Sequence, residues 1–264
     1  MVIQKIKIRD KEFVEQYMEF NLAHRYIICE ACLKSFDSGN IAVRKSIGIE
    51  VMFQYIGMLE DTAMIYYALK EKSEHKSFFK SLFKISINEG SNSKYTSEKI
   101  YKELEELEKI SFEDFIKKFN LPLLIPKEAV KLAEVSLIND LDGQEKAQEQ
   151  YKKETTEILK NIKNAIRNRF EDKKGKQLHL VKIYNKIKHG SIFINDETDE
   201  ERVYFPITKK IEVLDEQGKE VQMAAYNLIC NKKETLQNLV NQMKILSDQL
   251  KNLLDIFCLH NYSS

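Results

Sequence analysis

The run Tyr184-Asn185-Lys186-Ile187-Lys188-His189-Gly190 holds the sharpest concentration of chemistry-bearing side chains in the sequence. Asn185 and His189 are spaced so that a helix places them one turn apart on one face. An imidazole beside an amide on a positive surface has the groups needed to move a proton to or from an RNA 2′-hydroxyl. The same residues also have a purely structural use. Lys188 and His189 in a last helical turn complement the helix dipole, and Gly190 suits the left-handed C-terminal cap. Both readings stand on the residues alone.

That run closes a basic stretch. Ten Lys/Arg lie between Lys160 and His189 against only Glu171 and Asp172. Lys173, Lys174, Lys176, Lys186 and Lys188 are its candidate nucleic-acid contacts. A net excess of about eight positive charges on one helix–turn–helix can neutralise phosphates. The segment Asp196–Glu201 then carries five acids in six residues, so a solvated helical face answered by a neighbouring acidic loop is the competing reading. Over the whole chain Lys+Arg number 42 and Asp+Glu 41, so bulk charge favours neither nucleic acid nor membrane, and any basic surface must be local.

Other chemistries find less. Cys29-Glu30-Ala31-Cys32 has C-x-x-C spacing, which puts two thiols on one helical face, but zinc needs two further ligands and no second C-x-x-C or H-x-x-x-H supplies them. These cysteines are expected in the core, and no metal site is expected. Glu19, Glu30, Glu50, Glu60 and Asp61 lie on otherwise apolar helices. They are expected to pair with neighbours such as His24, Arg25 or Arg44, with a cleft lining as the alternative. A di-iron bundle needs Glu-x-x-His, and the sequence has none. It also lacks a Gly-rich phosphate loop, G-x-S-x-G and H-E-x-x-H, so no cofactor is expected.

The elements that must position these residues are helices. Apolar residues recur at three and four from about Lys11 to Phe36, ended by Asp37-Ser38-Gly39, and again from Ile41 to about Lys72 behind a capping Asn40. Together they predict a long antiparallel hairpin. Gly48 and Gly57 inside the second helix point to close helix–helix approach. Shorter helices are expected from His75 to Ile85, around Leu104 and Leu107, after Ser111, and from Glu128 to Asn139. A long polar helix follows from Gln144 to about Phe170, with a narrow stripe of Tyr151, Ile158, Ile162, Ala165 or Ile166, and Phe170. Strand signals arise only late, at Ser191–Ile194, Val203–Pro206, Ile211–Leu214 and Val221–Met223, with a turn at Asp215–Lys219. The last helix repeats Leu236, Leu239, Met243, Leu246, Leu250, Leu253 and Phe257 at heptad spacing. That seam packs either into the chain or against a second copy, and a homo-oligomer is the expectation. The whole reads as an all-α fold: a long antiparallel helical bundle with a short β-hairpin before the C-terminal helix. Residues 1–264 are read as a single domain, within which 73–142 forms a smaller helical lid or subdomain.

A helix ending in a polar-Lys-x-Lys-His-Gly pattern within an all-α bundle resembles the HEPN-type domains. The resemblance covers the chain from Gln144 to the C-terminus, and the first two helices by architecture only. It implies a small, frequently dimeric helical bundle of bacterial toxin–antitoxin and phage-defence systems, many of whose members are metal-independent endoribonucleases. The family's catalytic signature is an Arg followed after four to six residues by a His. His189 matches its His, but Arg9, Arg25, Arg44, Arg167, Arg169 and Arg202 all lack a His at that distance. Lys182 stands at the outer limit of the spacing and lacks the planar fork that grips phosphate. The departure bears on catalysis more than on fold.

The N-terminal segment MVIQKIKIRDKEF has no apolar run of a secretory leader, and no uncharged apolar stretch reaches the length of a membrane span. A reduced, cytoplasmic protein without a membrane role is the expectation. Three functions follow. The first is a HEPN-like protein that binds RNA or a protein partner with weak or no nuclease activity. The second is an active metal-independent endoribonuclease using His189, with Asn185 and Lys182 beside it. The third is a homodimeric interaction protein.

Overall fold

A computed structural model describes residues 9–75, 77–86, 102–119, 121, 141–170, 194–195, 198–206, 212–213, 221–222 and 225–262. The fold is all-α. In chain order the helices are α1 (Asp10–Gln16), a π-helical turn (Tyr17–Asn21), α2 (His24–Lys34), α3 (Ile41–His75), α4 (Phe78–Ser86), α5 (102–109), α6 (Phe112–Lys118), α7 (Leu141–Phe170) and α8 (Lys233–Tyr262). Between α7 and α8 lie the short strands β1 (Arg202–Pro206), β2 (Glu212–Val213), β3 (Val221–Gln222) and β4 (Ala225–Ile229). The expected helix from Glu128 to Asn139 falls outside the described residues. The chain divides into two compact units. One comprises Met1–His24, Met58–Arg167 and Lys244–Ser264, and the other Arg25–Gly57 and Asn168–Met243. The described parts of 73–142 belong to the first.

In the first unit the apolar spacing delivers the core as expected. Leu104 and Leu107 of α5 are buried, as are Tyr151, Ile158, Ile162 and Ile166 on the stripe of α7. Aromatic rings fill the interior: Phe115 lies 4.4 Å from Phe119 between centroids, Phe119 lies 5.3 Å from Tyr66, and Phe78 lies 6.1 Å from Phe257. Ser111 accepts the Asp114 amide at 3.0 Å and so caps α6. The N-terminus of α4 is capped from a distance. Asp10 accepts the amides of Phe78 and Phe79 and the Ser77 hydroxyl, each at 2.9 Å, and the Tyr262 hydroxyl donates to it as well. Burial alone would raise the Asp10 carboxyl. The bonds from Tyr262, Phe79, Phe78 and Ser77 outweigh it and hold the group below its ordinary value.

In the second unit Asn40 Oδ1 accepts the Val43 amide at 3.0 Å, the cap that starts α3. The two interior glycines of α3 are both crowded, for different reasons. A Cβ at Gly48 would lie 2.2 Å from the carbonyl oxygen of Cys230, so bare backbone is required there. A Cβ at Gly57 would meet only the Arg25 guanidinium, 2.3 Å away. The glycine at position 57 thus makes room for a side chain, where close helix–helix approach had been expected.

Strands β1 and β4 pair antiparallel from Arg202↔Ile229 to Pro206↔Ala225, and β2 pairs with β3 through Glu212↔Gln222 and Val213↔Val221. Ile194 adds a bridge to Tyr204. Val203 and Phe205 are buried, the alternation of a strand with one covered face.

Two expectations change. The single helix from Lys11 to Phe36 is interrupted, because Tyr17–Asn21 takes π-helical bonding and α2 starts afresh at His24. The heptad seam of α8 is filled within the chain, since Leu236, Leu239, Met243, Leu246, Leu250, Leu253 and Phe257 are all buried. The seam therefore presents no exposed apolar stripe to a second copy.

Candidate functional site

The residues marked out by sequence, His189, Asn185 and Lys182 with Lys173, Lys174, Lys176, Lys186 and Lys188, all lie outside the described residues. So does most of the basic stretch. Of its described members, Lys160 pairs with Glu157 at 3.4 Å in an exposed position, and Lys163 donates to the carbonyl of Ile110. Lys163 is thereby tied into the first unit.

Two of the acids that follow the basic stretch, Asp199 and Glu201, have partners of their own. Asp199 Oδ1 accepts the amides of Glu201 and Arg202 at 3.0 and 3.1 Å, and Asp199 Oδ2 accepts the Tyr204 hydroxyl at 2.6 Å. The Tyr204 bond, ahead of those backbone amides and the nearby Arg202 charge, holds the Asp199 carboxyl below its ordinary value. Arg202 lies 3.6 Å from the same carboxylate, and Glu201 pairs with Lys232 at 3.2 Å. Asp199 thus organises the entry into β1.

Beside that entry, the second unit carries a cleft of about 350 Å³ on α3. Ala42, Lys45, Ser46 and Ile49 recur at three and four along one helical face and form its floor, with Glu50 at the edge. Asn195 and Val203 wall it from the strand side. Lys45 is only 3% exposed, and its ammonium donates to Asn195 Oδ1 at 2.7 Å and to the Asp199 carbonyl at 2.6 Å. Glu50 Oε1 accepts from Gln54 Nε2 at 2.7 Å, and Gln54 Oε1 accepts from Arg25 at 2.9 Å. A cation, a carboxylate and an amide thus line one pocket that also has apolar walls, at the lower end of the size range of small-molecule sites.

Glu50 was marked by sequence as one of a structural pair with His24, Arg25 or Arg44, or as a cleft carboxylate; it lines the cleft, and its partner is Gln54. Lys45 and Asn195 were not marked. A signal existed for Lys45, because it shares a stripe with Gly48, Met52 and Tyr55, all of them buried.

The cysteines do not form a reactive centre. Burial, with the charges of Cys32 and Glu50, pushes the Cys29 thiol up to about 12, and burial pushes Cys230 up to about 12 as well. Such thiols stay protonated at neutral pH. All four cysteines are thiols, and among the described residues no group of three His, Cys, Asp or Glu could hold a metal ion.

A second polar cluster lies in the first unit. Lys70 bridges Glu103 at 2.5 Å and Glu106 at 3.0 Å, Tyr66 donates to Glu106 at 2.7 Å, and Lys118 also donates to it. Burial would raise the Glu106 carboxyl, but the bonds from Lys118, Tyr66 and Lys70 bring it down to about 2. Its charges answer one another, as a structural ion network requires.

Compared with known proteins, the chain matches no family model, no curated protein and no solved structure. Among the described residues no helix is long and apolar enough to cross a membrane.

Proposed function

We propose that the chain is a HEPN-like helical protein that binds RNA through the basic stretch Lys160–His189, acts in the cytoplasm, and has weak or no nuclease activity. The observation that carries this reading is the charge of that stretch, ten Lys/Arg against two acids. Of the acidic segment that competes to neutralise it, Asp199 and Glu201 are already engaged by Tyr204, Arg202 and Lys232. Four free cysteines suit a reducing compartment. The HEPN resemblance supports a role in bacterial defence, and the missing catalytic Arg favours binding over cleavage.

The test is retention on heparin and on immobilised single-stranded RNA. Wild type is expected to elute late and at salt-dependent positions, and the Lys173→Glu/Lys174→Glu/Lys176→Glu variant to pass through with its helical circular dichroism intact. Equal retention of the two removes the reading. The endoribonuclease alternative is decided by incubation with RNA, with and without metal. If the wild type cleaves, His189→Gln is expected to lower the rate about 10²-fold or more, and Lys182→Ala to matter as well. A wild type that cleaves nothing leaves binding alone.

A further inference from the structure

Asn195 is held by Lys45 in one orientation. Its Oδ1 accepts the buried ammonium at 2.7 Å, so the amide's NH₂ is the end left to face a ligand as donor. Five residues beyond Lys45 on α3, Glu50 lines the same cleft and offers a carboxylate. The Gln54 side chain bonds one of its oxygens, and Arg25 in turn fixes Gln54. A carboxylate has about four acceptor sites, so this single bond sets its position without using up its capacity. The cleft therefore presents a donor, an acceptor and aliphatic surfaces from Ala42, Ile49 and Val203 in one space of about 350 Å³.

Guanine has the complementary pattern. Its O6 and N7 accept along one edge and its N1–H and N2–H donate along the next. A base of single-stranded RNA, unstacked and splayed out, is read by such edge contacts. We infer that this cleft is a guanine-binding site, with Asn195 donating to O6 or N7, Glu50 accepting from N1–H and N2–H, and Ile49 and Val203 covering the ring. Lys45 is the positioning residue. Adenine places an acceptor, N1, against the Glu50 carboxylate, so it is disfavoured. The inference deepens the RNA-binding reading and rests on it for its physiological ligand.

The test uses GMP, IMP and AMP as probes in calorimetry with the whole chain, beside short single-stranded RNAs that differ only in one central base. GMP is expected to bind at least about tenfold more tightly than AMP, with IMP, which lacks N2–H, between them. Glu50→Gln, which keeps the shape of the side chain and its bond to Gln54, is expected to abolish the preference. Asn195→Ala is expected to lower GMP affinity with the fold intact and a small loss of thermal stability, since its exposed side chain gives the buried Lys45 one acceptor. Equal or absent affinity for GMP and AMP overturns the site, whatever the RNAs do. GMP binding without any binding of the RNAs upholds the cleft as a guanine site and overturns the RNA reading instead.

Discussion

Lys70 and Lys45 stand on the same helix, yet the first sits in a closed cluster of paired charges and the second on the wall of a cleft. Around Lys70, two glutamates, a tyrosine and a second lysine form a network whose charges answer one another. Around Lys45, the ammonium donates to an amide and a backbone carbonyl on the wall of a cleft. A network of paired charges serves packing. A buried ammonium that orients a side-chain amide at an open cleft gives that cleft a fixed donor, the arrangement recognition requires. The difference separates a structural polar cluster from a candidate binding site within one protein.

The largest effect that would sharpen this contrast is on stability. Lys70→Met leaves the buried Glu103 and the adjacent Glu106 without their cation, and urea unfolding is expected to show a loss of about 3 kcal/mol. Lys45→Met leaves the Asn195 amide oxygen and the Asp199 carbonyl without this donor, and about 1–3 kcal/mol is expected. A Lys45 variant costlier than the Lys70 variant would break the comparison, because it would mean that Lys45 also answers a buried charge.

The glycines of α3 give a contrast of the next size. Gly48→Ala drives a methyl into the backbone at Cys230 and is expected to cost about 1–3 kcal/mol. Gly57→Ala displaces only the end of the flexible Arg25 side chain, and the helix gains about 1 kcal/mol of propensity. A net change near zero is expected by thermal denaturation.

A smaller effect is expected from acid titration. Because the folded Glu106 carboxyl sits at about 2 against an ordinary 4.5, its contribution is complete above pH 4.5 and is lost as pH falls toward 2. With roughly a third of the side chain exposed, about 1–2 kcal/mol is expected after solvent screening. Glu106→Gln should flatten stability across that window, and an unchanged slope would remove Glu106 as its source. Smallest of all is the thiol effect: native Cys29 should resist alkylation at neutral pH, with Cys29→Ala leaving the far-ultraviolet dichroism unchanged.

Much of the helical architecture was legible because local chemistry encodes it. Asn40 starts α3, Ser111 starts α6, and the seam of α8 is buried at every position read from its spacing. The π-helical turn was invisible because Tyr17–Asn21 keeps the same apolar recurrence as the helices beside it. Strand β4 was missed because its partner β1 lies on the far side of a second hairpin, and Ala225–Ile229 carries no turn signal of its own. The cleft was the least legible part. Lys45 meets Asn195 and Asp199 across 150 and 154 residues of chain, and although its stripe marks it as buried, nothing in the sequence names those partners.

The most direct test of the central claim is the salt dependence of binding to single-stranded RNA, measured as the slope of log affinity against log salt. Wild type is expected to weaken steeply as salt rises, and reversing Lys173, Lys174 and Lys176 to Glu is expected to reduce the slope by about 2, since each lost phosphate contact on a single strand contributes about 0.7. A wild type whose affinity ignores salt, or a triple variant with the wild-type slope, would contradict the assignment of the basic stretch as the RNA face.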